Sequence, residues 1–120
     1  MIVAGFGFRA ATSAESLAAA LAATGARPDA LATATDKAET PAFRALAASL
    51  ALPVHPIGSD ALAAQPTATR SHASQAARAT GSLAEAAALA AAGPGARLIA
   101  TRAISPDRMA TCAIAQGASL

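Results

Sequence analysis

Short apolar runs alternate along this sequence with segments whose apolar residues recur at helical spacing. The first run, residues 2–6, does not alternate with polar residues, which predicts a strand buried on both faces. Leu17 and Leu21 lie four residues apart and predict a helix over residues 13–24, with Gly25 as its end. The same patterns predict strands at 30–35, 97–101 and 109–115, an extended segment at 52–57, a polar loop at 67–71, and helices beginning at 40, 59, 71 and 82.

Strands that alternate with helices predict an α/β fold, namely a single three-layer α/β/α domain over residues 1–120 with a mostly parallel or mixed sheet. The last two predicted strands are joined by a short loop, so they form a hairpin if the sheet is mixed. Pro53 and Pro56 favour an edge position for the 52–57 segment, because proline cannot donate to a strand ladder. In such folds the loops at the carboxyl ends of the strands form the binding face.

The segment between the first predicted strand and the first predicted helix combines three features of an anion site. Gly5 and Gly7 are expected to form a sharp turn that allows close backbone approach. Arg9 adds a fixed positive charge, and Ser13 is a candidate N-cap of the helix. Glycine turn, arginine and helix N-terminus together indicate anion binding. The alternative is a plain strand-to-helix turn that carries a surface arginine.

The same glycines raise a dinucleotide site as a further alternative. Gly5-x-Gly7-x-x-Ala10 matches the fingerprint G-x-G-x-x-G/A, and Asp36 follows the second predicted strand. In that fingerprint, however, the helix opens within the glycine turn. Here the capping signal at Ser13 comes several residues after Gly7, so the spacing disfavours a dinucleotide, and no cofactor is expected.

A charged segment follows the second predicted strand. By topology, Lys37 should lie at the same side of the sheet as Arg9 and as Arg102, which is expected in the loop after the fourth strand. Asp36 and Glu39 are candidates for acid–base catalysis. The alternative for these two carboxylates is a solvated loop in which Lys37 pairs with a neighbour.

Other residues narrow the possible chemistry. Glu85 is expected only to complete a capping box with Ser82. Cys112, the one cysteine, excludes an internal disulfide and a zinc-type spacing, and its apolar surroundings predict a buried, inert thiol. No metal site is therefore expected.

Composition and charge exclude further classes of partner. The net charge is +2, and the sequence has neither a basic cluster nor the aromatic residues on which bases stack, so no nucleic-acid partner is expected. No signal-peptide pattern and no uninterrupted apolar run of membrane-spanning length occur, which predicts a cytoplasmic protein with no membrane partner.

Six stretches, in order along nearly the whole chain, carry a resemblance to a known family: GFGFR at 5–9, DKAE at 36–39, LALP at 50–53, TGSLAEAAAL at 80–89, LIATR at 98–102 and ATCAIA at 110–115. They resemble the CobE family of cobalamin-biosynthesis proteins, which is similar to the C-terminal domain of CbiG. One position departs from the pattern, because Arg102 stands where relatives commonly have lysine. The charge is kept, but a planar guanidinium replaces a compact amine.

The resemblance implies a role in building the corrin ring, in the aerobic branch of cobalamin biosynthesis. CbiG-type proteins open a ring lactone of a cobalt-precorrin and release a two-carbon fragment, whereas stand-alone CobE resembles an accessory protein that binds a corrinoid intermediate. Corrinoid precursors carry many carboxylates around an apolar macrocycle, and arginine forks suit carboxylates.

We therefore expect a protein that binds a corrinoid or precorrin intermediate. The candidate ligand-binding residues are Gly5, Gly7, Arg9, Ser13, Lys37 and Arg102. The first alternative is a cobalt-precorrin-5A hydrolase-like enzyme, in which Asp36 and Glu39 are the acid–base groups. The second is a non-catalytic docking partner of other cobalamin-pathway enzymes.

Overall fold

The computed structural model describes residues 1–67 and 82–118. Its five strands are β1 Ile2–Phe8, β2 Ala30–Ala34, β3 Val54–Ile57, β4 Arg97–Ile104 and β5 Ala110–Gln116. The helices within these ranges are α1 Ala14–Thr24, α2 Thr35–Ala38, α3 Pro41–Leu50, α4 Ser59–Ala63 and α5 Leu83–Ala92. The predicted loop at 67–71, apart from its first residue, and the predicted helix beginning at 71 lie outside the described residues.

The strands form one mixed sheet in the order β3-β2-β1-β5-β4. β1, β2 and β3 are parallel, and β5 runs antiparallel to both β1 and β4. This confirms the α/β class, the mixed sheet and the final hairpin. β3 lies at an edge of the sheet, and its Pro56 pairs with Thr33 of β2. The missing N–H of proline is tolerated there, because no further strand among the described residues pairs with the other side of β3.

Helices cover both faces of the sheet, which gives the predicted three layers. On one face, a core cluster joins β1 and β5 to α1 and α3; on the other, a second cluster joins β1 and β2 to α4 and α5. The first cluster contains the aromatic contacts. The rings of Phe6 and Phe43 meet edge to face at 5.6 Å between centroids, and those of Phe8 and Phe43 stack at 5.8 Å. Among the described helices, none combines the length and apolar character needed to cross a membrane.

The helix ends follow the sequence signals closely. The hydroxyl of Ser13 accepts a 3.1 Å hydrogen bond from the N–H of Ser16 and caps α1, and Gly25 ends that helix at a φ of 71°. Pro41 occupies the start of α3, where its missing N–H costs nothing. The hydroxyl of Ser82 accepts from the N–H of Glu85 and caps α5.

The predicted glycine turn is wrong. β1 continues to Phe8, and Gly5 and Gly7 lie within it, paired with Ala113 and Thr111 of β5. Neither glycine has a positive φ, and both are buried against α5. Since α1 begins at Ala14, no helix opens at these glycines, and the geometry of a dinucleotide fingerprint is not formed.

Two further boundaries differ from the prediction. Residues 35–38 form the one-turn helix α2 instead of an open loop. β4 runs past its predicted end to Ile104, because Ala103 and Ile104 still pair with Cys112 and Thr111. Arg102 therefore lies in a strand, not in the loop after it.

Candidate functional site

The strands β1 to β4 all end at one edge of the sheet, which we call the carboxyl edge. It is formed by residues 9–13, α2, the turn at 105–109 and the N-terminal end of α5. Of the predicted binding residues, Arg9, Ser13, Lys37 and Arg102 lie at or near this edge, and Gly5 and Gly7 do not extend into it.

Lys37 is held against the end of β1. Because β1 and β2 are parallel neighbours, the turn of α2 that follows β2 brings this side chain beside the last residue of β1. The ammonium donates a 2.7 Å hydrogen bond to the carbonyl oxygen of Phe8 and lies 4.9 Å from the centroid of the Phe8 ring. The hydroxyl of Thr40 donates to the carbonyl of Lys37 and closes the turn. A half-buried cation is thus fixed in place at this edge.

Arg9 follows Phe8 directly, so it lies next to Lys37 at the carboxyl ends of adjacent parallel strands, as the topology predicts. Its side chain is exposed, and its N–H donates to the carbonyl of Met109 at 3.0 Å. Ala10 and Ala11 beside it are also exposed. The edge therefore combines positive charge with small apolar side chains.

A cluster of hydroxyls and one carboxylate fastens the turn at 105–109 to α1. The hydroxyl of Ser16 donates to Asp107, and the hydroxyl of Ser105 and the N–H of Met109 donate to the other carboxylate oxygen at 2.6 Å and 3.1 Å. These donors, the Ser105 and Ser16 hydroxyls first, lower the pKa of the Asp107 carboxyl. The cluster fixes the turn that receives the N–H of Arg9.

Ser13, Asp36 and Glu39 occupy less distinctive positions. The Ser13 hydroxyl is used in the cap of α1 and lies 3.1 Å from the Ser16 hydroxyl, so ligand binding by Ser13 stays a prediction. Asp36 lies in α2 and Glu39 at its end, and both are exposed. That environment is typical of a solvated turn and gives neither carboxylate a buried setting for acid–base work.

The sequence interpretation missed the role of Glu85. Its side chain is 0 % exposed. Its carboxylate accepts a 2.9 Å hydrogen bond from the N–H of Arg102 in β4, a contact that the predicted capping box does not include. The Ser82 half of that box is formed as expected. One signal was available: Glu85 is the single charged residue of a helix otherwise made of leucine and alanine, so burying the helix must bury the carboxylate.

Arg102 does not converge with Arg9 and Lys37. It lies on the edge strand β4, and β5 separates β4 from β1. Neighbouring strands lie about 4.8 Å apart, so β1 and β4 are roughly 10 Å apart at this edge. The three cations therefore lie at one edge, as predicted, but in two places along it.

A cavity of about 370 Å³ opens away from the carboxyl edge. It lies between Gln65, Pro66 and the end of α5, and its wall includes the turn at 93–96 that leads into β4. Within the part of the chain that the structure describes, no charged side chain lines it. Metal-ligating side chains do not cluster in threes anywhere in residues 1–67 and 82–118.

Cys112, the one cysteine of the sequence, is not a candidate reactive group of the carboxyl edge. Cys112 is buried in the cluster beneath α1, and burial raises the pKa of its thiol well above the ordinary value. The predicted burial of the thiol is confirmed, and its inertness stays a prediction.

The fold and the edge define an α/β protein with cations displayed beside apolar groups where its parallel strands end. The family model described as "Cobalamin synthesis G C-terminus" matches residues 2–115, and the chain belongs to that family. It is accordingly a protein of cobalamin biosynthesis.

Two solved structures are similar along nearly their full length. One is CobE, a protein from the cobalamin (vitamin B12) biosynthetic pathway, with 32% identity and a TM-score of 0.87 over 100% of this chain and 92% of that chain. Another is the cobalamin biosynthesis protein chiG from Agrobacterium tumefaciens, with 34% identity and a TM-score of 0.75 over 99% of this chain and 100% of that chain. Among proteins of curated function, the search finds no match.

Proposed function

We propose that this protein binds a corrinoid or precorrin intermediate of cobalamin biosynthesis at its carboxyl edge, through the carboxylates around the ligand's macrocycle. Arg9 and Lys37 bind one part of the rim of the macrocycle, and Arg102 binds another. The protein acts as a binding protein, with no chemical step assigned to its own residues.

The observation that carries the proposal is the fixed position of Lys37. Its ammonium is held by the Phe8 carbonyl and the Phe8 ring, one residue from the exposed Arg9. A lysine with its stem and one donor fixed loses less side-chain entropy when it binds an anion than a freely moving one. Lys37 and Arg9 thus form a partly preorganised pair for carboxylates.

The spread of the cations fits a broad ligand. A small anion would be bound by cations that converge, whereas β1 and β4 are separated by β5. A macrocycle with carboxylates around its rim matches charges placed roughly 10 Å apart. Exposed apolar side chains lie at the same edge, including Ala10, Ala11 and Ile104, which is 42% exposed. These suit the apolar surface of the ring.

A pair of related corrinoids tests the proposal directly. Dicyanocobyrinic acid carries free carboxylates around the ring, whereas dicyanocobinamide carries amides in their place. Both are coloured, so binding is measured by absorbance and by calorimetry at low and high salt. We expect the acid to bind at least tenfold more tightly than the amide, with an affinity that falls as salt rises. Equal affinity for both, or no binding of the acid, would contradict the proposal.

Two other outcomes point to the alternatives. Incubation with a lactone-bearing cobalt-precorrin, followed by mass spectrometry, detects ring opening; turnover would replace the binding role by a hydrolase role. Co-purification with another cobalamin-pathway enzyme, without affinity for either corrinoid, would replace it by a docking role.

A further inference from the structure

Glu85 is a carboxylate buried completely beside the edge strand β4. It lies in the first turn of α5, whose other residues are all leucine or alanine. Its Oε2 atom accepts the N–H of Arg102 at 2.9 Å. Burying a carboxylate is costly unless strong donors reach it. The local geometry of β4 explains why a backbone donor is available there.

β4 carries an extra residue opposite β5 at this point. The pairs on either side are Ala100 with Ile114, and Ala103 with Cys112. Three steps along β4 therefore match two steps along β5. Thr101 and Arg102 stand where a regular strand would have one residue, which is a β-bulge.

The bulge decides where Arg102 lies. Ala100 packs against the core cluster beneath α1, and regular alternation would place Arg102 in that same apolar core. With the bulge, Ala103 takes this place opposite the buried Cys112, and Arg102 is kept out of the core. A bulge also takes a backbone N–H out of the strand ladder. The carboxylate of Glu85 accepts that N–H.

We propose that Glu85 is a positioning residue that holds the β4 bulge, so that Arg102 is presented to a ligand carboxylate at the carboxyl edge. This inference rests on the proposed function and deepens it, because it assigns the second place of carboxylate binding along the edge. Glu85 acts on the ligand through Arg102.

The test combines ligand binding with a measurement that needs no ligand. Glu85→Met removes the acceptor but keeps an unbranched side chain of similar length, and Glu85→Gln keeps an acceptor oxygen. Arg102→Ala removes the guanidinium. The affinity for dicyanocobyrinic acid and the hydrogen exchange of the Arg102 amide are measured for each variant, and the affinity also for the double variant Glu85→Met/Arg102→Ala.

We expect Arg102→Ala and Glu85→Met each to weaken binding by about tenfold, and the double variant to bind no more weakly than either. The Arg102 amide should exchange faster in Glu85→Met and remain protected in Glu85→Gln. Losses that multiply in the double variant would show that Glu85 does not act through Arg102. Unchanged protection in Glu85→Met would overturn the inference as well.

Two further results distinguish a failure of this inference from a variant that does not fold and from a failure of the proposed function. If Glu85→Met does not fold, Glu85→Gln decides: affinity within about threefold of the wild type supports the inference, and a loss equal to that of Arg102→Ala overturns it. If the wild type does not bind dicyanocobyrinic acid, the proposed function fails, and the presentation of Arg102 to a ligand carboxylate fails with it. Amide exchange then still shows whether Glu85 holds the bulge.

Discussion

Gly5 faces the backbone of Ala84 so closely that a Cβ atom on Gly5 would lie 2.1 Å from the Ala84 carbonyl oxygen. It would also lie 2.5 Å from the backbone nitrogen of Ala88. Backbone atoms in the middle of α5 cannot move aside without shifting the helix. The absence of a side chain at Gly5 is therefore what allows α5 to pack against β1.

This contact predicts that Gly5→Ala strongly destabilises the fold. We expect a loss of about 3 kcal/mol or more in the free energy of unfolding, because an added methyl group overpacks a site walled by backbone. Gly7→Ala should cost about 1 kcal/mol, since its Cβ would meet the Thr111 hydroxyl at 3.0 Å and the Leu83 Cβ at 3.4 Å. Urea denaturation measures both losses.

Gly58→Ala is the matched control for these two variants. A Cβ at Gly58 meets no atom within 4 Å, and its φ of −70° suits any residue. We expect a change within about 0.5 kcal/mol. If Gly5→Ala is as stable as Gly58→Ala, the close packing of α5 on β1 is wrong.

A second prediction concerns Lys37. Lys37→Met keeps the apolar stem and removes the ammonium that contacts Phe8. We expect affinity for dicyanocobyrinic acid to fall by about tenfold, because a charge-assisted hydrogen bond contributes about 1.5–3 kcal/mol. Affinity for dicyanocobinamide should change much less. An equal loss for both ligands would mean that Lys37 shapes the edge and does not bind carboxylates.

A third prediction concerns the pH dependence of stability through Asp107. Its folded-state pKa is lowered by the Ser105 and Ser16 hydroxyls, so its contribution to stability is present above the ordinary aspartate pKa of about 3.9. That contribution is lost as the pH falls through the lowered value. We expect the wild type to melt above Asp107→Asn at neutral pH, and the gap to close in acid.

Ser16→Ala checks the cause of this pH dependence. It removes one of the hydroxyls that bond to the Asp107 carboxylate, so it should show the same trend with a smaller gap. A melting-temperature gap that stays constant from neutral to acid pH would show that the cluster does not depend on the charge of Asp107.

A fourth prediction concerns Cys112. The thiol is buried in the core cluster and burial raises its pKa, so little thiolate forms and little reagent reaches it. We expect no reaction with a disulfide reagent in the native protein and one reacting thiol in urea. Rapid reaction of the native protein at neutral pH would contradict the burial of Cys112.

The sequence predicted best what depends on neighbouring residues. Ser13 and Ser82 are the helix caps that their hydroxyls indicate, and Pro56 lies in an edge strand because proline lacks an N–H. Gly5 was misplaced because a glycine can serve a turn or a close contact. Which of the two applies here is decided by a helix about 80 residues further along the chain.

The candidate site shows the same limit. Lys37 and Arg9 lie at adjacent strand ends because the topology could be inferred from alternating strands and helices. Arg102 was expected in a loop, since its place depends on a bulge that becomes evident only from the pairing of β4 with β5. The sequence predicts only a capping role for Glu85, because the local signal with Ser82 is real, while the N–H of Arg102 that it accepts in β4 is distant in sequence.

The last prediction concerns Arg9, the most exposed cation of the proposed pair. Arg9→Ala should weaken binding of dicyanocobyrinic acid by about tenfold or more, because a charge-assisted contact to a ligand carboxylate is lost. Arg9→Lys should recover only part of the affinity, since an ammonium cannot form the bidentate fork of a guanidinium. The salt dependence of binding should also become shallower in Arg9→Ala.

Arg27→Ala is the control that separates a local contact from net charge. Arg27 is exposed, but it lies in the turn between α1 and β2, at the opposite edge of the sheet. Its loss changes the total charge as much as the loss of Arg9. If Arg9 binds a ligand carboxylate, Arg27→Ala should bind like the wild type while Arg9→Ala does not. Equal affinities for the wild type, Arg9→Ala and Lys37→Ala would show that these cations serve only to keep the surface charged.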